Sequence, residues 1–98
     1  MLLLKHVAHV SWANPDADFW VQRRGARRNL GRCFREYDPQ ALAVKVLDPR
    51  ISPEFLYWYV THQRLSGYFG AVAKGSLELL HITIKDLENL PIVVPNLG

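Results

Sequence analysis

The chain has one cysteine, Cys33, so no internal disulfide is available to it, and a lone thiol fits a reducing, cytoplasmic setting. Cys33 stands between Arg32 and Phe34, where a small apolar filler and a reactive thiol are the two readings. No run of residues approaches the ~20 apolar positions a membrane-spanning helix needs. The opening MLLLKHVAHV is apolar only from Leu2 to Leu4 before Lys5 and His6 interrupt it, and no small-residue cleavage site follows, so a secretion signal is not expected there. Zinc-type ligand spacing is missing as well. His6 and His9 would face opposite sides of a strand, while His62, His81 and Cys33 are isolated, so no metal or cofactor is expected. There is no nucleophile–base pair, no nucleotide-binding glycine loop and no paired-carboxylate site, and Ser66 and Ser76 have no neighbouring base. Asn14-Pro15 is followed by Asp16 and Ala17, without the second proline and aromatic of an amino-methyltransferase motif. An enzyme is therefore not expected.

With 98 residues, the chain is sized for one small domain that buries roughly 60–65% of its unfolded surface. At 49% apolar and 21% charged residues it is globular and not disordered. Eleven aromatic residues are more than so small a core readily buries, so exposed ones point to an oligomer interface or a ligand face.

A first strand is expected over Leu2–Val10, a turn at Asn14-Pro15-Asp16, and a short strand over Phe19-Trp20-Val21. Tyr37-Asp38-Pro39 turns the chain into a strand over Ala41–Leu47, with Leu42, Val44 and Val46 on one face and Ala43 and Lys45 on the other. Asp48-Pro49-Arg50 leads into a helix with Ser52 as N-cap, Pro53 in the first helical position and Glu54 at the positive end of the dipole. Its buried stripe is Phe55, Leu56, Tyr59 and Val60; Gly67 interrupts the pattern, and a second helical piece follows with Gly75 as its expected stop. Within it, Tyr57, Trp58 and Tyr59 read as core and interface in preference to a base-stacking platform, and His62, Gln63 and Arg64 offset the dipole at its end. Thr83 and Asp86 form an acidic capping box for a short helix, with Ile82 and Leu87 placed as a hydrophobic staple. Pro91 ends that helix, Ile92-Val93-Val94 forms a closing strand, and Pro95 stops it.

Net charge is only +3, but its distribution is uneven. Six arginines (Arg23, Arg24, Arg27, Arg28, Arg32 and Arg35) fall in thirteen residues, and no acidic residue interrupts Phe19 to Arg35. With Gly25 and Gly31 among them, a flexible basic loop or hairpin is expected. Arginine offers a planar fork of donors that takes phosphate oxygens or the O6/N7 edge of guanine bidentately, and glycine lets backbone N–H groups approach a phosphate. The competing reading is a solvated surface whose arginines pair with Glu36, Asp38 or Asp48. Lys74-Gly75-Ser76 is either a further phosphate contact through Lys74 or a plain helix cap.

The order of signals from Ser52 onward, carried by Ser52-Pro53-Glu54-Phe55-Leu56-Tyr57, Lys74-Gly75-Ser76, His81-Ile82-Thr83, Leu87, Leu90-Pro91-Ile92 and Pro95, resembles the second half of a target recognition domain. Such domains belong to the DNA specificity subunits of type I restriction–modification systems. The resemblance covers about half the chain, and it places Arg23-Arg24-Gly25-Ala26 and Leu30-Gly31 where the family carries a DNA-reading loop. It implies an α+β fold, a small mixed sheet packed by two or three helices, and non-catalytic binding of double-stranded DNA. Arg23, Arg24, Gly25, Arg27, Arg28, Arg32 and Lys74 are the candidate DNA-binding residues. Where the family continues into long spacer helices, this sequence has Asn96-Leu97-Gly98, and the early part of the family's domain is largely missing. A homodimer that completes the sheet, with two basic loops about a two-fold axis, is therefore expected. The alternative is an interaction module or vestigial fragment that associates with modification or restriction subunits without DNA affinity of its own. RNA binding through exposed aromatics is a third reading, and it requires them on a sheet face.

Overall fold

The computed structural model describes residues 1–76 and 78–93. The chain starts with β1 (Leu2–Leu3), a 3-10 turn over Leu4–His6, and β2 (Ala8–Trp12). The single strand expected over Leu2–Val10 is thus broken in two. The Leu3 N–H donates to His6 Nδ1 at 2.9 Å, the Leu4 N–H donates to the Leu90 carbonyl at 2.9 Å, and the turn drops Leu4 into the core. After these come β3 (Phe19–Val21), β4 (Arg24–Gly25), a 3-10 turn over Arg27–Asn29, β5 (Cys33–Phe34) and β6 (Leu42–Val46). The second half holds α1 (Pro53–Leu65), α2 (Tyr68–Val72), β7 (Lys74–Ser76), β8 (Leu79–His81), α3 (Ile84–Glu88) and β9 (Pro91–Ile92). Of the expected closing strand, Val94 and its stop Pro95 lie outside the described residues.

The architecture is α+β, with three helices against three short sheets whose strands all pair antiparallel. The largest sheet has the order β2-β6-β3-β5, with Val10 opposite Val44 and Val44 opposite Phe19 across its centre. Strand alternation sends Val10, Phe19, Val21, Leu42 and Val44 to one face, where they join Leu56 and Val60 of α1 in the main core. The opposite face buries Trp20, Ala41 and Ala43 under Phe34 and Ala17. The second sheet, β4-β8-β7, joins the arginine segment to the second half of the chain, and β1 pairs with β9.

Local capping signals appear as expected. Ser52 Oγ accepts from the Phe55 N–H at 2.9 Å, with Pro53 opening α1. Thr83 Oγ1 accepts from the Asp86 N–H at 3.2 Å while Asp86 Oδ2 accepts from the Thr83 N–H at 2.8 Å, which closes the acidic capping box. Ile82 and Leu87, the staple pair, both lie in the main core. Gly67, at φ +90°, separates α1 from α2 as expected, but Gly75 is the middle residue of β7, and α2 already ends at Val72. The α1 stripe also needs correcting, because Leu56 and Val60 are buried whereas Phe55 faces out.

Gly31 is the most constrained backbone position. Its φ of +83° is left-handed, and a Cβ built there would lie inside the van der Waals surface of the buried Phe69 ring. Gly67 has the same hand but open space around it. Gly67→Ala should therefore cost about 1 kcal/mol, from backbone strain alone. Gly31→Ala, which adds an overpacked ring contact, should cost about 3 kcal/mol or more. Urea unfolding at constant m reads the difference, and equal losses would discount the ring contact.

Candidate nucleic-acid interface

The arginine segment is an ordered connection between β3 and β5, and not a flexible loop. β3 and β5 pair with Trp20 opposite Phe34 and Val21 opposite Cys33. The base of the connection is closed by Gln22 N–H to the Arg32 carbonyl at 2.8 Å and Gly31 N–H to the Gln22 carbonyl at 2.9 Å. Leu30 is fully buried, which pins the segment from beneath. Arg24 and Gly25 form β4, opposite His81 and Leu80. Gly25, at φ +131°, approaches Gln22, whose side-chain amide donates to the Arg24 carbonyl at 2.7 Å.

The candidate arginines divide into two groups. Arg23 and Arg27 are anchors as well as charges. Arg23 Nε donates to the Gln40 carbonyl at 2.8 Å, and its guanidinium lies over the Trp12 ring at 4.5 Å from the centroid. Partial burial, with Arg24 alongside, lowers the Arg23 pKa from its ordinary value. Arg27 Nη1 donates to the Gly70 carbonyl of α2. Arg24, Arg28 and Arg32 are exposed, and among the described residues no carboxylate pairs with them. The backbone beneath Arg28 is nevertheless fixed, because Arg64 of α1 donates to its carbonyl from both Nε, at 3.2 Å, and Nη2, at 2.9 Å. Thus Arg64 supports the segment from below.

Lys74 is attached to the same sheet. It pairs with His81 on one strand while Arg24 pairs with His81 on the other, so the three residues form a cross-strand row on one face, about 10 Å from end to end. Its ammonium is engaged, however, by both carboxylate oxygens of Asp86, at 3.1 and 3.0 Å, and by the Val72 carbonyl. Of the two sequence readings of Lys74-Gly75-Ser76, the helix cap is overturned, because the three residues form a strand. None of the clustered arginines pairs with Glu36, Asp38 or Asp48 among the described residues. Arg35 pairs with Glu54 at 2.8 Å and lies over the Tyr57 ring, while Asp48 is held down to about 2 by hydrogen bonds from Arg50.

Two hollows flank Arg23 and Arg24. One, of about 300 Å³, is lined by these two arginines with Leu79, Leu80 and His81. The other, of about 230 Å³, adds Gln22, Phe34, Asp38, Gln40 and Ala41. Trp12, Gln40 and His81 were not among the sequence candidates, since only strand pairing between distant segments brings them to the arginines. Chemically, the surface presents forked cationic donors beside shallow hollows that contain amide and imidazole groups, an arrangement suited to phosphate oxygens and base edges.

Cys33 sits at the edge of this site and behaves as filler. Burial pushes its thiol up to about 11, so little thiolate exists at neutral pH. Among the described residues, no helix is long and apolar enough to cross a membrane, and no three His, Cys, Asp or Glu side chains group as metal ligands. No protein-family model, no curated protein and no solved structure matches this chain.

Asp86 joins the capping box of α3 to the Lys74 end of the arginine sheet. Burial works against its charge, but the Thr83 N–H, Lys74 and the Thr83 hydroxyl outweigh it and lower its pKa from the ordinary 3.8. A carboxylate with a depressed folded-state value stabilises the fold above its unfolded value, and the contribution is lost as pH falls through the folded one. Asp86→Ala should therefore cost about 1 kcal/mol at pH 7. The gap to wild type should close as the pH drops below 3.8, read from denaturant midpoints across an acid series.

Proposed function

We propose that this chain is a non-catalytic binder of double-stranded DNA whose contact surface is the arginine segment, in the manner of the specificity module it resembles. One observation carries the reading. Four cations form ion pairs among the described residues: Arg35 with Glu54, Lys45 with Asp18, Arg50 with Asp48 and Lys74 with Asp86. None of them belongs to residues 23–32, where five arginines stand together. A fold that ion-pairs four of the seven cations outside this segment and none of the five within it favours a polyanion as the neutralising partner.

The division of labour follows from the anchoring. Arg24, Arg28 and Arg32, exposed on a fixed backbone, contact phosphates and set register. Arg23 and Arg27, each already spending one donor on a carbonyl, hold the segment in shape and contribute field. Base reading falls to the flanking hollows, where Arg24, Gln22 and His81 supply the donors and acceptors. Lys74, engaged by Asp86, contributes less than the arginines.

Fluorescence titration of a random duplex at a series of salt concentrations tests this reading. Wild type should bind with log K falling linearly in log salt. Each of Arg24→Ala, Arg28→Ala and Arg32→Ala should flatten the slope by about 0.9. Arg50→Ala, which removes a cation already paired with Asp48, should leave it nearly unchanged. No measurable affinity at low salt, or slopes indifferent to the three loop substitutions, would overturn the proposal.

A further inference from the structure

The smaller hollow beside the arginines contains a carboxylate that a surface built only for phosphates would exclude. Asp38 lines it together with Arg23 and Arg24, yet among the described residues it pairs with neither. The backbone of Gln40 holds the opposite charges apart. Its N–H donates to Asp38 Oδ1 at 2.8 Å, while its carbonyl accepts from Arg23 Nε at 2.8 Å. The Ala41 N–H donates to the Asp38 carbonyl at 3.1 Å, which closes the turn beneath the carboxylate, and Ala41 itself is buried. On the other side the Arg23 guanidinium rests on the Trp12 ring, 4.5 Å from its centroid, and cannot swing across without giving up both contacts. Arg24 is fixed at its root, where its carbonyl accepts from the Gln22 side chain at 2.7 Å and its strand pairs with His81. Asp38 is only partly buried, and its second oxygen, Oδ2, meets no donor among the described residues. The hollow is thus a split ion pair, with arginine donors and a carboxylate acceptor facing one space of about 230 Å³.

We infer that Asp38 is a specificity-determining residue which, together with Arg24, selects a G·C base pair in duplex DNA. The inference rests on the proposed DNA binding and adds to it the base pair that this hollow takes. An ionised carboxylate only accepts hydrogen bonds, and it repels phosphate, so its complement on DNA is an amino group of a base. The arginine fork is the complement of guanine O6 and N7. A G·C pair presents these patterns side by side in the major groove, with the cytosine N4 amino group next to guanine O6. Arg24, whose guanidinium is exposed, takes the guanine, and Asp38 Oδ2 accepts from the cytosine amino group. An A·T pair in the same place sets the adenine amino group against the arginine and thymine O4 against the carboxylate. Donor then meets donor and acceptor meets acceptor. Asp38 therefore acts largely by rejection, as an unpaired charge that only the right partner satisfies. The fixed gap is essential to this role. A carboxylate neutralised by Arg23 would neither reject thymine nor reward cytosine.

Selection from a pool of random duplexes, followed by titration of a retained one, tests the inference on the full chain. Asparagine keeps the oxygen that accepts from the Gln40 N–H, so Asp38→Asn should unfold at the wild-type denaturant midpoint. Duplexes retained by wild type should share a G·C pair at one fixed position. Replacing that pair by A·T should weaken wild-type binding about tenfold or more. Asp38→Asn should lose the requirement at that position alone, and the same replacement should weaken it less than about threefold. It should also bind random duplex at least as tightly as wild type, since one negative charge is gone. Glu36→Gln, which removes an exposed carboxylate outside this hollow, should select as wild type does. Retained duplexes with no shared pair, an unchanged requirement in Asp38→Asn, or its equal loss in Glu36→Gln would each overturn the inference and leave the DNA binding standing. A chain with no affinity for any duplex would overturn both.

Discussion

The Phe69 ring rests on Gly31, and that contact organises the arginine segment. Only a residue without a Cβ lets the ring come so close, and only glycine accepts φ +83° without strain. Leu30, fully buried just before it, and the two hydrogen bonds between Gln22 and Gly31–Arg32 close the connection over this point. Arg27 reaches Gly70, the residue after Phe69, and Arg64 reaches the Arg28 carbonyl. The charged connection is thereby fastened to α2, to α1 and, through β4, to the second sheet. A cluster of like charges would spread apart if it were tethered only at its ends. Here the backbone is fixed at many points, and the ordering cost is met within the fold instead of at the moment of binding.

Where the carboxylates go matters as much as where the arginines are. Glu54, Asp18, Asp48 and Asp86 each serve a cation outside residues 23–32. Several do structural work as well: Asp86 caps α3, Glu54 accepts from the Trp58 indole at 2.9 Å, and Asp18 accepts from the Val46 N–H at 2.7 Å. Exposed pairs of this kind contribute little individually. Collectively they leave the five arginines of residues 23–32 without an ion-paired carboxylate among the described residues, and that, on a backbone fixed at many points, is what the proposed polyanionic partner rests on.

Much of the fold was legible in local sequence. Ser52-Pro53, the Thr83–Asp86 box and the alternation of Leu42, Val44 and Val46 each encode structure within a few residues, and each is found where expected. What was not legible depended on distant pairing. Nothing near Leu4 announces that its N–H will meet the Leu90 carbonyl, so the break in the first strand was hidden. Nothing near Gly75 distinguishes a helix stop from a strand opposite Leu80, and α2 ends at Val72 without it. The arginine cluster itself was plain from composition. Its internal division was not, since the partners of Arg23 and Arg27 come from Gln40, Trp12 and Gly70. The aromatic run Tyr57-Trp58-Tyr59 likewise reads as one group, yet the helix turns its middle member outward.

The central claim is that a pre-shaped arginine surface, and not the protein's overall positive charge, meets the DNA. The most direct measurement is a nuclear magnetic resonance titration of a short duplex that follows the arginine Nε–Hε signals one by one. Arg24, Arg28 and Arg32 should move first and together, Arg23 and Arg27 less, and the carboxylate-paired Arg35 and Arg50 scarcely at all. Shifts spread evenly over all eight arginines, or confined to Arg35 and Arg50, would contradict it.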